Sequence, residues 1–181
     1  MNYYISDTHF GHKNILNHDV RPFENTDMMD NELIKRWNNV VDEDDTVYVL
    51  GDFSWYKEEM TLKILDQLKG HKVLVKGNHD RISPSVAKRF DKRCEYLEIV
   101  DNDERVILCH YPILFWNGQF RDTIHLYGHV HNSEQYDYCV EMQDILKDKQ
   151  GLQMRMYNVG CMMPWMNYTP RTLAEIKAGG R

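Results

Sequence analysis

The sequence is poor in the features that mark secreted, membrane-bound or polyanion-coating proteins. Its 181 residues include four cysteines, Cys94, Cys109, Cys139 and Cys161, irregularly spaced and with no CxxC pair. That spacing argues against a zinc knuckle and against a disulfide framework, so reduced thiols are expected. No apolar run approaches the roughly 20 residues of a transmembrane helix. The opening MNYYISDTHF reaches an aspartate at Asp7, too soon for a signal peptide. The expectation is a cytoplasmic protein without a membrane partner. Positive charge is also short: 22 Lys and Arg stand against 28 Asp and Glu, a formal net charge of −6. No extended coating of nucleic acid is therefore expected, although Lys13, Arg21 and Arg81 could form a local patch.

Apolar residues (42%) and charged residues (28%) are in the proportions of a folded chain. The length suits one hydrophobic core, and no repeat, low-complexity tract or linker divides it, so residues 1–181 read as a single domain. Short apolar runs predict strands in MNYYI, DTVYVL, HKVLV, RVILCHY, TIHLY and LQMRMYNVG. Between them, MMDNELIKRWNNV places Met29, Leu33, Ile34 and Trp37 on one helical face. KEEMTLKILDQLKG does the same with Met60, Ile64, Leu65 and Leu68, with Gly70 placed to end it. SPSVAKRF, YCVEMQDILKDKQG and TPRTLAEIKAG read as further helices. Early strands alternating with helices indicate α/β organisation, and the more directly joined later strands favour mixed sheet.

The exits of these strands carry the chemistry: Asp7 and His9 from SDTHF, Asp52 from GDFSW, Asn78 and His79 from GNHD, His110 from CHYP, and His129 and His131 from GHVH. A single such histidine is ordinarily a structural hydrogen bonder. So many at successive strand ends point instead to a metal site. Residues two apart on an extended segment face the same side, which would aim Asp7 with His9, and His129 with His131, into one cavity. Mixed nitrogen and carboxylate donors suit manganese, iron or zinc better than calcium or magnesium. Asp52 can bridge two cations and Asn78 can add a neutral oxygen, so two metals are expected.

The order DTH, GD, GNHD, H, GHVH resembles the calcineurin-like metallophosphoesterases, over Asp7 to His131 and on to Asn158 in NVG. The resemblance implies a four-layer α/β/β/α sandwich with two mixed sheets. It implies that Asp7, His9, Asp52 and His131 surround one metal and Asp52, Asn78, His110 and His129 the other. Manganese or iron is expected first, in divalent or mixed-valence form, with zinc, nickel or cobalt compatible. Two cations about 3.5–4 Å apart can hold a bridging hydroxide for in-line attack on phosphorus. In the family the histidine corresponding to His79 contacts phosphate and can protonate the leaving oxygen. Asp80 is expected either to orient His79 or to cap the loop. His12 and Arg81 are candidate substrate contacts, while His18, His71 and His125 match no ligand motif and are read as structural.

The sequence also narrows the substrate. GDFSWYK lacks the GDxVDRG of serine/threonine protein phosphatases. Purple acid phosphatases carry tyrosine three residues after the bridging aspartate, where this chain has Trp55. Tyr111, Phe115, Trp116, Trp165 and Tyr168 could border a flat leaving group, but packing is the simpler expectation. Cys161 is expected as a packed thiol near the site. The resulting expectation is a phosphoesterase acting on a phosphodiester or a small nucleotide-like ester. A phosphomonoesterase is the alternative, and a noncatalytic metal-binding interaction module is the rival of another class. Oligomeric partners stay open.

Overall fold

Most of the apolar runs form strands within a few residues of their expected bounds. The computed structural model describes residues 1–180. In chain order its strands are β1 (Asn2–Ile5), β2 (Thr46–Val49), β3 (His71–Val75), β4 (Lys92–Cys94), β5 (Tyr96–Asp101), β6 (Glu104–Cys109), β7 (Ile124–Tyr127) and β8 (Met156–Asn158). Its helices are α1 (Ile15–His18), α2 (Thr26–Val40), α3 (Glu58–Leu65), α4 (Pro84–Ala87), α5 (Glu134–Gln150) and α6 (Leu173–Gly179). Strands β4 and β5 and the single-turn α1 are additions to the sequence reading.

The helix ends follow local chemistry. Asn25, Ser83, Ser133 and Thr172 each cap a helix by accepting a backbone N–H, and Thr172 with Glu175 forms a full capping box. Helix α2 buries Met29, Leu33 and Trp37 as its pattern predicts. In α3 the buried residues are Thr61, Ile64 and Leu65, whereas Met60 is 40% exposed. Thr61 takes the inner position because its hydroxyl bonds Ser54 and the Tyr56 carbonyl.

Two four-stranded sheets form the centre of an α/β/β/α sandwich. In the first, β1-β2-β3-β4, every strand pair is parallel, and an antiparallel bridge from Tyr4 to Arg171 extends the β1 edge. In the second, β5-β6-β7-β8, β5 and β6 pair antiparallel and the others parallel. The interior between the sheets takes Ile5, Val47, Val49 and Leu74 from one, and Val106, Leu108, Ile124 and Leu126 from the other. Alternate residues Ile107, Tyr127 and Met156 point the opposite way, onto Leu146 of α5.

This topology positions the site. Strands β1, β2 and β3 run parallel, as do β6, β7 and β8, and a parallel bridge between Ser6 and Gly160 aligns the two sets. All six therefore deliver their C-terminal ends to one edge of the sandwich. Those ends carry the polar residues singled out above.

Candidate metal centre

Asp7, His9 and His131 form one donor cluster and Asp7, Asp52 and His110 a second, each with ligand atoms all within 4.8 Å of one another. Asp7 belongs to both. Asp52 lies between them as well, its Oδ2 being 3.8 Å from His9 Nε2 and 3.6 Å from His110 Nε2. Asn78 joins on the His110 side, with Oδ1 3.1 Å from His110 Nε2. The ring of His129 packs edge-on against His110 at 5.1 Å and against Tyr111 at 4.6 Å. All seven residues proposed from sequence thus meet at one place.

The backbone route is not the expected one. Asp7, His9, Asp52, His129 and His131 have φ of 57°, 51°, 51°, 68° and 49°. They occupy the left-handed region rather than an extended segment. Asp and His tolerate that region better than most side chains do, but it still carries strain. These left-handed steps, instead of simple alternation, turn the side chains inward. Backbone bonds lock the zigzag: Asp7 N–H donates to Gly51 O, and His9 N–H to Asp52 O, both at 3.0 Å.

Each donor is fixed from behind. The Asp7 carboxylate accepts the His129 N–H at 3.1 Å, and Asp52 Oδ1 accepts the His79 N–H at 2.9 Å, which leaves Asp52 Oδ2 facing the rings. His110 Nδ1 lies 2.7 Å from the Leu50 carbonyl, so that nitrogen carries the proton and Nε2 offers its lone pair to the site. His131 Nδ1 lies 2.7 Å from Asp19 Oδ1, which likewise turns Nε2 inward. Nε2 of His9 and Nε2 of His131 then face each other at 3.3 Å. Two lone pairs directed at one point need a proton or a cation between them, so the donor set fits a cation.

The electrostatics agree. Burial opposes charge on His131, but its hydrogen bonds to Asp19 and Asp7 outweigh that and push it up to about 10. Asp7 is buried too, yet the hydrogen bond and charge of His131 hold its carboxyl below the usual range. Burial lowers His9 to about 3 and raises Asp52, the latter against the pull of His110. Without a cation, the His131 proton is what compensates these carboxylates.

Two glycines allow the elements to approach. A Cβ on Gly128 would lie 2.0 Å from Ser6 Oγ and 2.4 Å from Asp7 Oδ2. A Cβ on Gly77 would lie 2.3 Å from Asp52 Oδ1.

Asp80 departs from the orienting role. Its carboxylate is buried and accepts the N–H groups of Asp52, Phe53 and Gly77 at 3.0, 2.9 and 2.8 Å. It caps the loop, with its oxygens committed to backbone. Nor do the cationic residues form one patch. Arg21 is 4% exposed and donates to Asp19 and to the carbonyls of Asp7 and Thr8. Lys13 borders a cavity that Arg21 also lines, while Arg81 is exposed at another, beside Asn78 and His79.

Asp19 was not among the sequence candidates, because its partner His131 lies 112 residues away. The only signal in the sequence is its proximity to Arg21. Asn158, buried, donates to the His131 carbonyl at 3.0 Å and accepts the Gly160 N–H. Cys161 packs beneath the site with Sγ 3.1 Å from the Asp7 carbonyl, and burial pushes its thiol up to about 12. His125 and His71 are away from the donors, as expected: His125 is buried and accepts the Ile113 N–H, and His71 pairs with Asp91. His18, in contrast, lines the main cavity.

That cavity, about 430 Å³, opens over the donors, with His12 and His79 among its walls. Of the aromatic residues, Trp116 and Tyr168 are buried, Trp165 donates to Asn158 O, and Phe115 is 62% exposed. Trp55, by contrast, is exposed and borders a smaller cavity that shares His79 with the main one, its indole stacked on His12. Among the described residues no helix is long and apolar enough to cross a membrane.

Comparison with known proteins agrees with this architecture. The family model for the calcineurin-like phosphoesterase superfamily domain matches residues 2–179. MJ1445, an uncharacterised protein of Methanocaldococcus jannaschii, is 37% identical over 138 residues, covering 75% of this chain and 72% of that protein. The Gene 66 protein of Mycobacterium phage L5 is 35% identical over 86 residues, covering 45% of this chain and 41% of that protein. The crystal structure of AQ665, a protein of unknown function from Aquifex aeolicus, aligns over 98% of both chains with a TM-score of 0.74 and 29% identity. With the family model spanning nearly the whole sequence and the donors gathered where six parallel strands end, this chain belongs to the calcineurin-like phosphoesterase superfamily.

Proposed function

We propose that the protein is a dimetal-dependent phosphoesterase that hydrolyses a phosphodiester or nucleotide-type phosphate ester. The observation that carries this is the pair of donor clusters on the floor of one open cavity. Two buried carboxylates there would repel an anionic ester unless cations reverse the local charge. In this reading Asp7, His9, Asp52 and His131 hold one cation, and Asp52, Asn78, His110 and His129 the other. The donor chemistry suits manganese or iron first, and zinc, nickel or cobalt also. When bound, such a pair supplies an activated water and neutralises phosphate oxygens during in-line displacement.

The chain's own residues do the rest. Asp19 and the Leu50 carbonyl keep His131 and His110 in the tautomers that present Nε2. His79, exposed at the cavity wall, donates a proton to the leaving oxygen. His12 contacts substrate from the same wall, and Arg81 binds phosphate oxygens from the adjoining cavity. The main cavity is lined by no Lys or Arg, and Glu134 sits at its border. That supports a singly charged diester over a dianionic monoester.

The test is anaerobic purification with metal quantification, followed by turnover of bis(p-nitrophenyl) phosphate and p-nitrophenyl phosphate with added manganese. About two transition ions per chain and faster diester hydrolysis are expected. A fully loaded protein inert toward both compounds would refute the reading and favour a binding module.

A further inference from the structure

We propose that Trp55 is a specificity-determining residue, its indole forming a wall beside His79 that stacks the flat part of a nucleoside leaving group. This rests on the phosphoesterase reading and adds the class of group that leaves. Trp55 is 46% exposed, whereas Trp37 and Trp116, which serve the core, are 1% and 6% exposed. An indole held at a cavity rim is available for contact rather than for packing.

Its placement is rigid. The Trp55 N–H donates to the Phe10 carbonyl at 2.8 Å, and neighbouring Ser54 bridges to Phe10. The His12 imidazole lies against the indole at 3.9 Å and 6°, bracing it by a parallel stack. The His79 ring is 4.7 Å away and tilted by 50°, so it touches the indole without covering it as a stack would. Indole surface stays open to a cavity of about 130 Å³ shared with Asn78, His79 and Arg81.

An ester whose phosphate sits over the donor clusters turns its leaving oxygen toward His79. The group on that oxygen is thereby brought to the indole. Every nucleobase has a π face, so such a wall selects for a base without reading which base it is. An alkyl or sugar leaving group gains nothing comparable.

The experiment compares two singly charged diester analogues, the methyl phosphonate esters in which CH2 replaces the 5′ oxygen of thymidine 5′-phosphate and of its abasic 1,2-dideoxyribose counterpart, which differ only in the base. Each is titrated calorimetrically into manganese-loaded wild type, Trp55→Phe and Trp55→Ala. Wild type is expected to bind the base-bearing analogue about tenfold more tightly. Trp55→Ala should abolish that difference while binding the sugar analogue as before, and Trp55→Phe should retain most of it. Equal binding by wild type, no measurable nucleotide binding, or a preference that survives Trp55→Ala overturns the proposal. A parallel measurement of kcat and KM for bis(p-nitrophenyl) phosphate separates the two readings. Absence of turnover of both bis(p-nitrophenyl) phosphate and p-nitrophenyl phosphate by loaded wild type defeats the phosphoesterase assignment, while the binding arm still decides about Trp55. A fall in kcat for Trp55→Ala with base preference intact would assign Trp55 to holding His79 and overturn the stacking role.

Discussion

Replacing Asp19 measures how strongly the site depends on a residue that stands behind a ligand. Its carboxylate is 2% exposed, accepts His131 Nδ1–H at 2.7 Å, and pairs at 2.9 Å with Arg21, whose side chain is fully buried. In Asp19→Ala the guanidinium loses its carboxylate partner, and breaking such a buried pair costs about 3–5 kcal/mol. The His131 ring also loses the bond that fixes its tautomer, for which metal affinity falls roughly 10- to 100-fold. Asp19→Asn keeps an acceptor for Nδ1–H but not the charge, so its losses should be smaller in both respects. Chelator competition with manganese gives the affinities, and thermal unfolding of metal-free protein gives the stabilities. The pH dependence supplies an independent check. His131 in the folded metal-free chain is raised to about 10, above an unfolded value of about 6.5. Its contribution to stability is therefore fully present below about pH 6.5 and is lost as pH rises through about 10. Asp19→Asn should shift that alkaline loss to lower pH. Unchanged affinity in Asp19→Ala, or an alkaline limb identical to wild type, would refute the reasoning.

Other substitutions separate further roles. Asp52→Ala should remove metal occupancy and activity together, whereas His79→Ala should keep both metals while kcat falls about 10²- to 10⁴-fold, as elemental analysis with steady-state kinetics would reveal; loss of a metal in His79→Ala would contradict its placement outside the donor set. Asp80→Ala leaves three backbone N–H groups without their acceptor, and even one such group costs about 1–3 kcal/mol. Denaturant unfolding should show that loss, accompanied by weaker metal binding; a change in rate alone would restore the His79-orienting role. Gly128→Ala forces a methyl onto Ser6 and Asp7, so overpacking of about 1–3 kcal/mol and reduced metal content are expected.

The strands bearing ligands were legible because their apolar runs end abruptly in polar residues, as TVYV does at LGD and HKVLV at KGNHD. Parallel pairing then gathers the exits, which strand order alone decides and periodicity does not encode. Strands β4 and β5 were missed for a physical reason. Lys92–Cys94 is a short charged segment at a sheet edge, and Tyr96–Asp101 alternates only between exposed and half-buried until Asp101. Such edges need little apolar character. The ligands themselves stood out by residue type, but what holds them did not. Asp19, Arg21 and Trp55 act across 112, 14 and 45 residues on His131, Asp7 and Phe10, contacts that no local spacing specifies. Asp80 was ambiguous for the converse reason: adjacency to His79 allowed a side-chain contact as readily as a loop cap, and only the turn, which aims the carboxylate back at backbone amides, decides for the cap.

The left-handed residues at the strand exits have a consequence for attempts to harden this protein. Five non-glycine residues with φ near 50–70° at the donor positions, at about 1–2 kcal/mol each, together make a penalty comparable to the net stability of a small domain. Glycine at any of them relieves the backbone and deletes a ligand. Selection for thermal tolerance in chelator should therefore drift toward glycine at His9, Asp52 and His129, yielding sturdier and inert variants, while Asp7 and His131 persist because their mutual charge pairing stabilises the metal-free chain. The same selection with metal supplied should leave these positions untouched, since bound cations stabilise only chains that keep their donors.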